Sequence, residues 1–136
     1  MIVVRTPLRV SFLGGGTDFP EHYRHHGGTV ISTAINKYIY VIVKQRFDDM
    51  IYVNYSKKEI VKSVAELEHE LVREAMRMTG VEQGVEITTL ADVPSSGTGL
   101  GSSSSVTVGL LQALYAFHGQ LVTADPLARQ ACEIEI

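Results

Sequence analysis

The chain has almost nothing with which to brace itself covalently: one cysteine, Cys132, and no tryptophan in 136 residues. A lone cysteine closes no intrachain disulfide, and no Cys/His pair of metal-ligand spacing accompanies it. Disulfide scaffolds and zinc ribbons are thereby excluded. A reducing compartment is expected, with Cys132 a small core residue. Long apolar runs are missing too; the longest, Tyr38 to Val43, falls far short of the roughly 20 residues that cross a bilayer. Met1 to Pro7 shows no basic flank ahead of an apolar segment, so no signal peptide is expected and the default location is cytoplasmic, without a membrane partner. The formal charge of -3 supplies no field to gather nucleic acid. No internal period marks a solenoid or propeller. Lysine is absent from every position after Lys62.

What is present suits one globular domain over residues 1–136. Val10–Leu13 reads as a short buried strand running into Gly14-Gly15-Gly16, and Phe19–His26 as a short helix or turn. Thr29–Ala34, Tyr38–Phe47, Ile51–Tyr55 and Val85–Leu90 are rich in β-branched and aromatic residues, as strands are. Ile60, Val64, Leu67, Leu71, Ala75 and Met78 recur at steps of three or four, predicting an amphipathic helix that Gly80 stops. Val106–Phe117 is apolar on nearly all sides, predicting a buried helix. Asp125-Pro126 resembles an N-cap with proline in the first turn of a last helix. The element order predicts an α+β domain. That last helical pattern runs to Ile136 without a stop signal, and the 136 residues are read as the front portion of a longer protein.

The most informative stretch is Pro94-Ser95-Ser96-Gly97-Thr98-Gly99-Leu100-Gly101-Ser102-Ser103-Ser104-Ser105. A helix start presents unpaired N–H groups and the positive end of a dipole, so it attracts anions. Glycines let the backbone approach a polyphosphate, and hydroxyls in the first turn suit phosphate oxygens or Mg²⁺. A flexible linker would not run straight into an apolar helix with Leu100 at its centre. A P-loop would end in Gly-Lys-Ser/Thr, which the missing lysine rules out. A Rossmann fingerprint has other glycine spacing and a βαβ unit around it.

Pro94-x-x-Gly97-x-Gly99-Leu100-Gly101-Ser102-Ser103-Ser104 resembles the second motif of the GHMP kinases, the galactokinase, homoserine kinase, mevalonate kinase and phosphomevalonate kinase superfamily. Thr6-Pro7-Leu8-Arg9-Val10-Ser11-Phe12-Leu13-Gly14-Gly15-Gly16-Thr17-Asp18 is similar to that family's first, substrate-side motif. The resemblance implies the family's N-terminal domain (ribosomal protein S5 domain 2-like), a mixed sheet packed on helices. It also implies a C-terminal lobe and a catalytic aspartate outside these residues, so the 136-residue piece alone is expected to be inactive. Gly15-Gly16 stands where galactokinases carry Glu-His, which speaks against galactose. With Gly27-Gly28 and Ser32–Tyr38, the string is most similar to the branch acting on heptose 7-phosphates. The implied reaction is ATP-dependent phosphorylation of the anomeric hydroxyl of D-glycero-D-manno-heptose 7-phosphate. A fucokinase-like sugar 1-kinase and an inactive sugar- and ATP-binding regulator are the alternatives.

The same resemblance implies site residues, with ATP, Mg²⁺ and a sugar phosphate as partners and a homo-oligomer left open. Pro94, Gly97, Thr98, Gly99, Leu100, Gly101, Ser102, Ser103 and Ser104 would bind ATP phosphates. Ser103 would face Mg²⁺ together with Glu135, or alternatively Glu133. Gly15, Gly16, Thr17 and Asp18 would bind the sugar, Asp18 accepting from hydroxyls unless it serves only a turn. Arg9, in an apolar run, needs an anionic partner; the family analogy makes it a substrate-binding and supporting catalytic group. Arg24, His25 and His26 would clamp a second phosphate or form a solvated helix end. Tyr52, Tyr55 and Ser56-Lys57-Lys58 are candidates for the adenine pocket.

Overall fold

The computed structural model describes residues 1–94 and 97–135; Ser95, Ser96 and Ile136 lie outside it. Among the described residues five strands form one sheet: β1 (Ile2–Leu13), β2 (Ile31–Gln45), β3 (Ile51–Asn54), β4 (Lys58–Val61) and β5 (Val85–Ala91). Their order is β1-β2-β5-β3-β4. Only β3 and β5 pair parallel, and the chain between them returns through β4, a 3-10 turn at Val64–Glu66 and helix α2 (Glu70–Thr79). A parallel neighbour requires such a crossover, whereas the antiparallel pairs do not. Helices α1 (Pro20–His26), α3 (Ser102–Phe117) and α4 (Ala124–Glu135) complete the α+β domain.

Alternation along the strands sends Ile39, Val41 and Val43 of β2, Ile51 and Val53 of β3, and Val85 and Ile87 of β5 into one core. Helix α3 covers it with Leu110, Leu111, Ala113 and Leu114, and α2 adds Val72, Ala75 and Met76. Where α3 crosses the sheet it carries Gly109. A Cβ there would stand 2.9 Å from Thr6 Oγ1 and 3.0 Å from Val41 Cγ2, so only glycine permits this approach. Proline at position 7 is tolerated because β1 is an edge strand.

Several expectations are corrected. The helix predicted from Ile60 begins only at Glu70, since Ile60 lies in β4 and Val64 in the 3-10 turn. The buried Glu59 carboxylate accepts from the backbone N–H groups of Glu68 (2.7 Å) and His69 (3.2 Å), holding this stretch extended against its helical pattern. Gly80 does end α2, with left-handed φ 75° and its N–H on Met76 O. The two strands predicted over residues 29–47 are one continuous β2. The first strand is far longer than Val10–Leu13, and α3 begins at Ser102 rather than Val106. Helix α4 starts at Ala124, which puts Pro126 within its first turn, where no N–H is required. Cys132 is exposed, because Leu127 and Ala131 form the buried stripe of α4 and Cys132 falls beside it. Among the described residues no helix is long and apolar enough to cross a membrane.

Candidate active site

The glycine-rich loop is positioned from both sides. At the end of β5, Asp92 clasps β2: its Oδ2 accepts from Tyr38 N–H at 2.9 Å and its own N–H donates to Tyr38 O at 3.0 Å. From β1, Arg9 donates through its backbone N–H to Leu100 O (3.0 Å) and through Nη1 to Gly99 O (2.9 Å). Arg9 follows the irregularity in β1–β2 pairing between Pro7 and Arg9. Strand alternation buries its neighbour Leu8 and leaves Arg9 exposed, against the expectation of a buried arginine. Among the described residues it has no carboxylate partner. Its guanidinium lies under the loop, where a Cβ on Gly101 would stand 3.1 Å from Cζ.

Gly101 takes φ 75° as the residue preceding α3, and among the described residues no side chain caps the helix. The first-turn N–H groups and the dipole therefore have no acidic residue of α3 to neutralise them. Ser105 ties the helix back to β1 through Oγ to Pro7 O at 3.1 Å. Thr98 Oγ1 accepts from Leu100 N–H at 3.4 Å, and Leu100 packs against the core. Pro94 and Ser104 are exposed; the Ser95-Ser96 part of the motif lies outside the described residues.

Ser103 and Glu135, far apart in sequence, meet: Ser103 Oγ donates to Glu135 Oε1 at 2.6 Å. Thr107 Oγ1 lies 2.7 Å from the same oxygen. Glu133 faces elsewhere, lining a surface cleft with Glu74, Arg77 and Met78. Ser102 Oγ is buried with no hydrogen-bond partner among the described residues. It borders a cavity of about 420 Å³ lined also by Ile39, Tyr55, Ser56, His69, Leu90 and Val106. His69 was not singled out from the sequence; a histidine preceding a helix is no signature by itself. Tyr52 belongs to the other face of the sheet, with the Arg46 guanidinium 3.5 Å above its ring.

The cavity wall is held by a polar cluster. Glu59 accepts from Tyr55 O–H at 2.9 Å, and the Tyr55 and His69 rings meet edge to face at 4.5 Å. Burial opposes the charge on Glu59, yet the N–H groups of Glu68 and His69 and the Tyr55 hydroxyl together hold its pKa below the ordinary carboxylate value. Burial lowers the His69 pKa, and burial with donation to Glu59 raises that of Tyr55.

The first glycine loop forms a separate cleft of about 500 Å³, lined by Thr17, Asp18, Tyr23, Gly28, Thr29 and Val30. Thr17 Oγ1 is engaged within the loop, 2.7 Å from Gly14 O and 3.2 Å from Thr29 O. Asp18 is exposed at the cleft and makes no hydrogen bond or ion pair among the described residues. Gly15 and Gly16 have open space where a Cβ would stand. Arg24, His25 and His26 sit on the exposed last turn of α1; Lys37 is exposed in β2.

Fold and loop together define an α+β domain that presents the N terminus of α3, without a cap from any described side chain, beside hydroxyl and carboxylate oxygens. The chain belongs to the GHMP kinase family: residues 59–136 match the GHMP kinases N terminal domain. The match begins at Glu59, so the first glycine loop lies outside it. A curated relative, the D-glycero-alpha-D-manno-heptose 7-phosphate kinase of Campylobacter jejuni, is 30% identical over 98% of this chain and 43% of its own length. A solved D-glycero-D-manno-heptose 1-phosphate kinase from Bacteriodes thetaiotaomicron superposes with TM-score 0.86 at 27% identity, over 98% of this chain and 47% of that one. The Methanococcus jannaschii mevalonate kinase shares the fold, with TM-score 0.76 at 23% identity over 98% of this chain and 45% of that one. The chain thus spans about half the length of the relatives it matches.

Proposed function

We propose that the intact protein is an ATP- and Mg²⁺-dependent sugar kinase that phosphorylates the anomeric hydroxyl of D-glycero-D-manno-heptose 7-phosphate. The observation that carries the reading is the contact between Ser103 at the start of α3 and Glu135 at the end of α4. A hydroxyl and a carboxylate are hard oxygen donors of the kind Mg²⁺ takes, and the unpartnered Ser102 Oγ beside them is a further hydrogen-bonding group for a phosphate. The relatives named as heptose phosphate kinases support the substrate class.

In this reading the N–H groups of Gly97, Thr98, Gly99, Gly101 and Ser102 face the phosphates, Leu100 anchors the loop on the core, and Pro94 and Ser104 flank them. Arg9 holds the loop in shape and sets a positive charge beside it. The cavity at Tyr55, Ser56, His69 and Leu90 has the size and mostly apolar lining of a small-ligand pocket and takes the base. Asp18 accepts from sugar hydroxyls, while Gly15, Gly16 and Thr17 shape the loop that presents it. Mg²⁺, held by Ser103 and Glu135, supplies charge neutralisation on the transferring phosphoryl group. The resemblance assigns the catalytic aspartate to sequence outside residues 1–136.

The test is ATP turnover by the intact protein with D-glycero-D-manno-heptose 7-phosphate, L-fucose and galactose as acceptors. Turnover dependent on the heptose phosphate, lost in Glu135→Gln and Ser103→Ala, is expected. Equal turnover with L-fucose, or none with any acceptor, would refute the reading.

A further inference from the structure

Thr107 is fully buried, yet its hydroxyl lies against a charged group. It follows Ser103 by one helical turn, so the two hydroxyls stand on the same face of α3. A buried threonine in a helix ordinarily satisfies itself on the carbonyl four residues back. That carbonyl, Ser103 O, is 3.0 Å away, but Glu135 Oε1 is closer, at 2.7 Å. The hydroxyl has one proton to give, and an ionised acceptor makes the stronger bond. Ser103 donates to that same Oε1 at 2.6 Å. Both donors thus converge on one oxygen, and Oε2 makes no hydrogen bond among the described residues.

We propose that Thr107 is a positioning residue: with Ser103 it pins Glu135 Oε1, so that Oε2 and the lone pairs of Ser103 Oγ are presented together to a divalent cation. The proposal rests on the reading of Ser103 and Glu135 as cation ligands. Without the Thr107 hydroxyl the carboxylate keeps a single tether and turns about its own bonds. Partners of this kind change metal affinity by roughly 10- to 100-fold when removed.

The experiment measures Mn²⁺ binding by electron paramagnetic resonance, using the intact protein with a non-hydrolysable ATP analogue. Analogue affinity without metal and melting temperature are measured beside it. Thr107→Val, which keeps the shape and removes the donor, is expected to weaken Mn²⁺ binding about tenfold and to leave metal-free analogue binding unchanged. Thr107→Ser is expected to bind Mn²⁺ as the parent does. Where valine prevents folding, Thr107→Ser against Thr107→Ala isolates the hydroxyl equally well. Parental Mn²⁺ affinity in folded Thr107→Val, or equal losses in the serine and alanine variants, overturns the proposal. Glu135→Gln separates the two levels. If it abolishes Mn²⁺ binding while Thr107→Val does not change it, only the positioning role falls; if it has no effect, the cation reading falls with it.

Discussion

Arg9 and Gly99 are joined by a 2.9 Å hydrogen bond across 90 residues of sequence, from the first strand to the glycine loop. The guanidinium fork reaches a backbone carbonyl that a shorter or single-headed cation would address differently. Arg9→Ala is therefore expected to lower nucleotide affinity of the intact protein about tenfold, or about 1.4 kcal/mol, with a small change in melting temperature. Arg9→Lys is expected to recover only part of the loss. Titration calorimetry with an ATP analogue measures both.

Gly101 combines φ 75° with the Arg9 guanidinium directly beneath it. An alanine there carries about 1–2 kcal/mol of left-handed strain and pushes Arg9 aside. Gly101→Ala should lose nucleotide binding more severely than Arg9→Ala, because it displaces the loop as well as the charge. Gly97→Ala, also at positive φ (76°) but with open space around it, should show the strain alone.

Gly109 gives a prediction of opposite sign to helix propensity. Alanine normally favours a helix interior over glycine by about 1 kcal/mol, yet here its methyl would press on Thr6 and Val41. Overpacking of this kind costs about 1–3 kcal/mol. Gly109→Ala is expected to be net destabilising and Gly109→Val more so, read from urea midpoints.

Acid should weaken the fold in two stages. The folded His69 pKa lies below its ordinary 6.5; as pH falls through 6.5 the unfolded chain takes a proton that the folded one refuses, and stability drops. Glu59, held below its ordinary 4.5, stabilises fully above 4.5 and loses that contribution as pH falls through its lower folded value. His69 Nδ1 accepts from Val72 N–H at 3.5 Å at the start of α2, and His69→Asn, which keeps an acceptor there, should remove the first stage. Glu59→Gln should remove the second and cost about 1.5–3 kcal/mol at neutral pH. Melting curves across this pH range show both.

Local patterns carried much of the fold. The alternation in β2, β3 and β5, the stop at Gly80 and the glycine loop entering an apolar helix all follow from near neighbours in sequence. The failures come from distant partners. Helical spacing from Ile60 is overridden by Glu59, whose carboxylate captures the N–H groups of Glu68 and His69. Arg9 read as a buried cation from its apolar neighbours in sequence, but strand alternation leaves it exposed with its guanidinium on the carbonyl of Gly99. The resemblance put Glu135 ahead of Glu133, and the packing of α4 on α3 fixes the rotation that brings Glu135 to Ser103 and leaves Glu133 on the surface cleft. His69 and Thr107 carried no signature, because their neighbours at the site come from other elements.

The wide sequence spacing of these contacts governs when they can form. The β1–β2 pair has all its residues once Gln45 has emerged during synthesis, so the first glycine loop between the two strands can take shape early. The second glycine loop must wait for Leu100 before Arg9 can hold it, and the Ser103–Glu135 contact waits for the last turn of α4. Closing such long loops is entropically slow. A nascent chain would therefore present the cleft at Thr17 and Asp18 well before the glycine loop at Gly97–Gly101 is held in place, and slow translation past Gly101 would lengthen that interval.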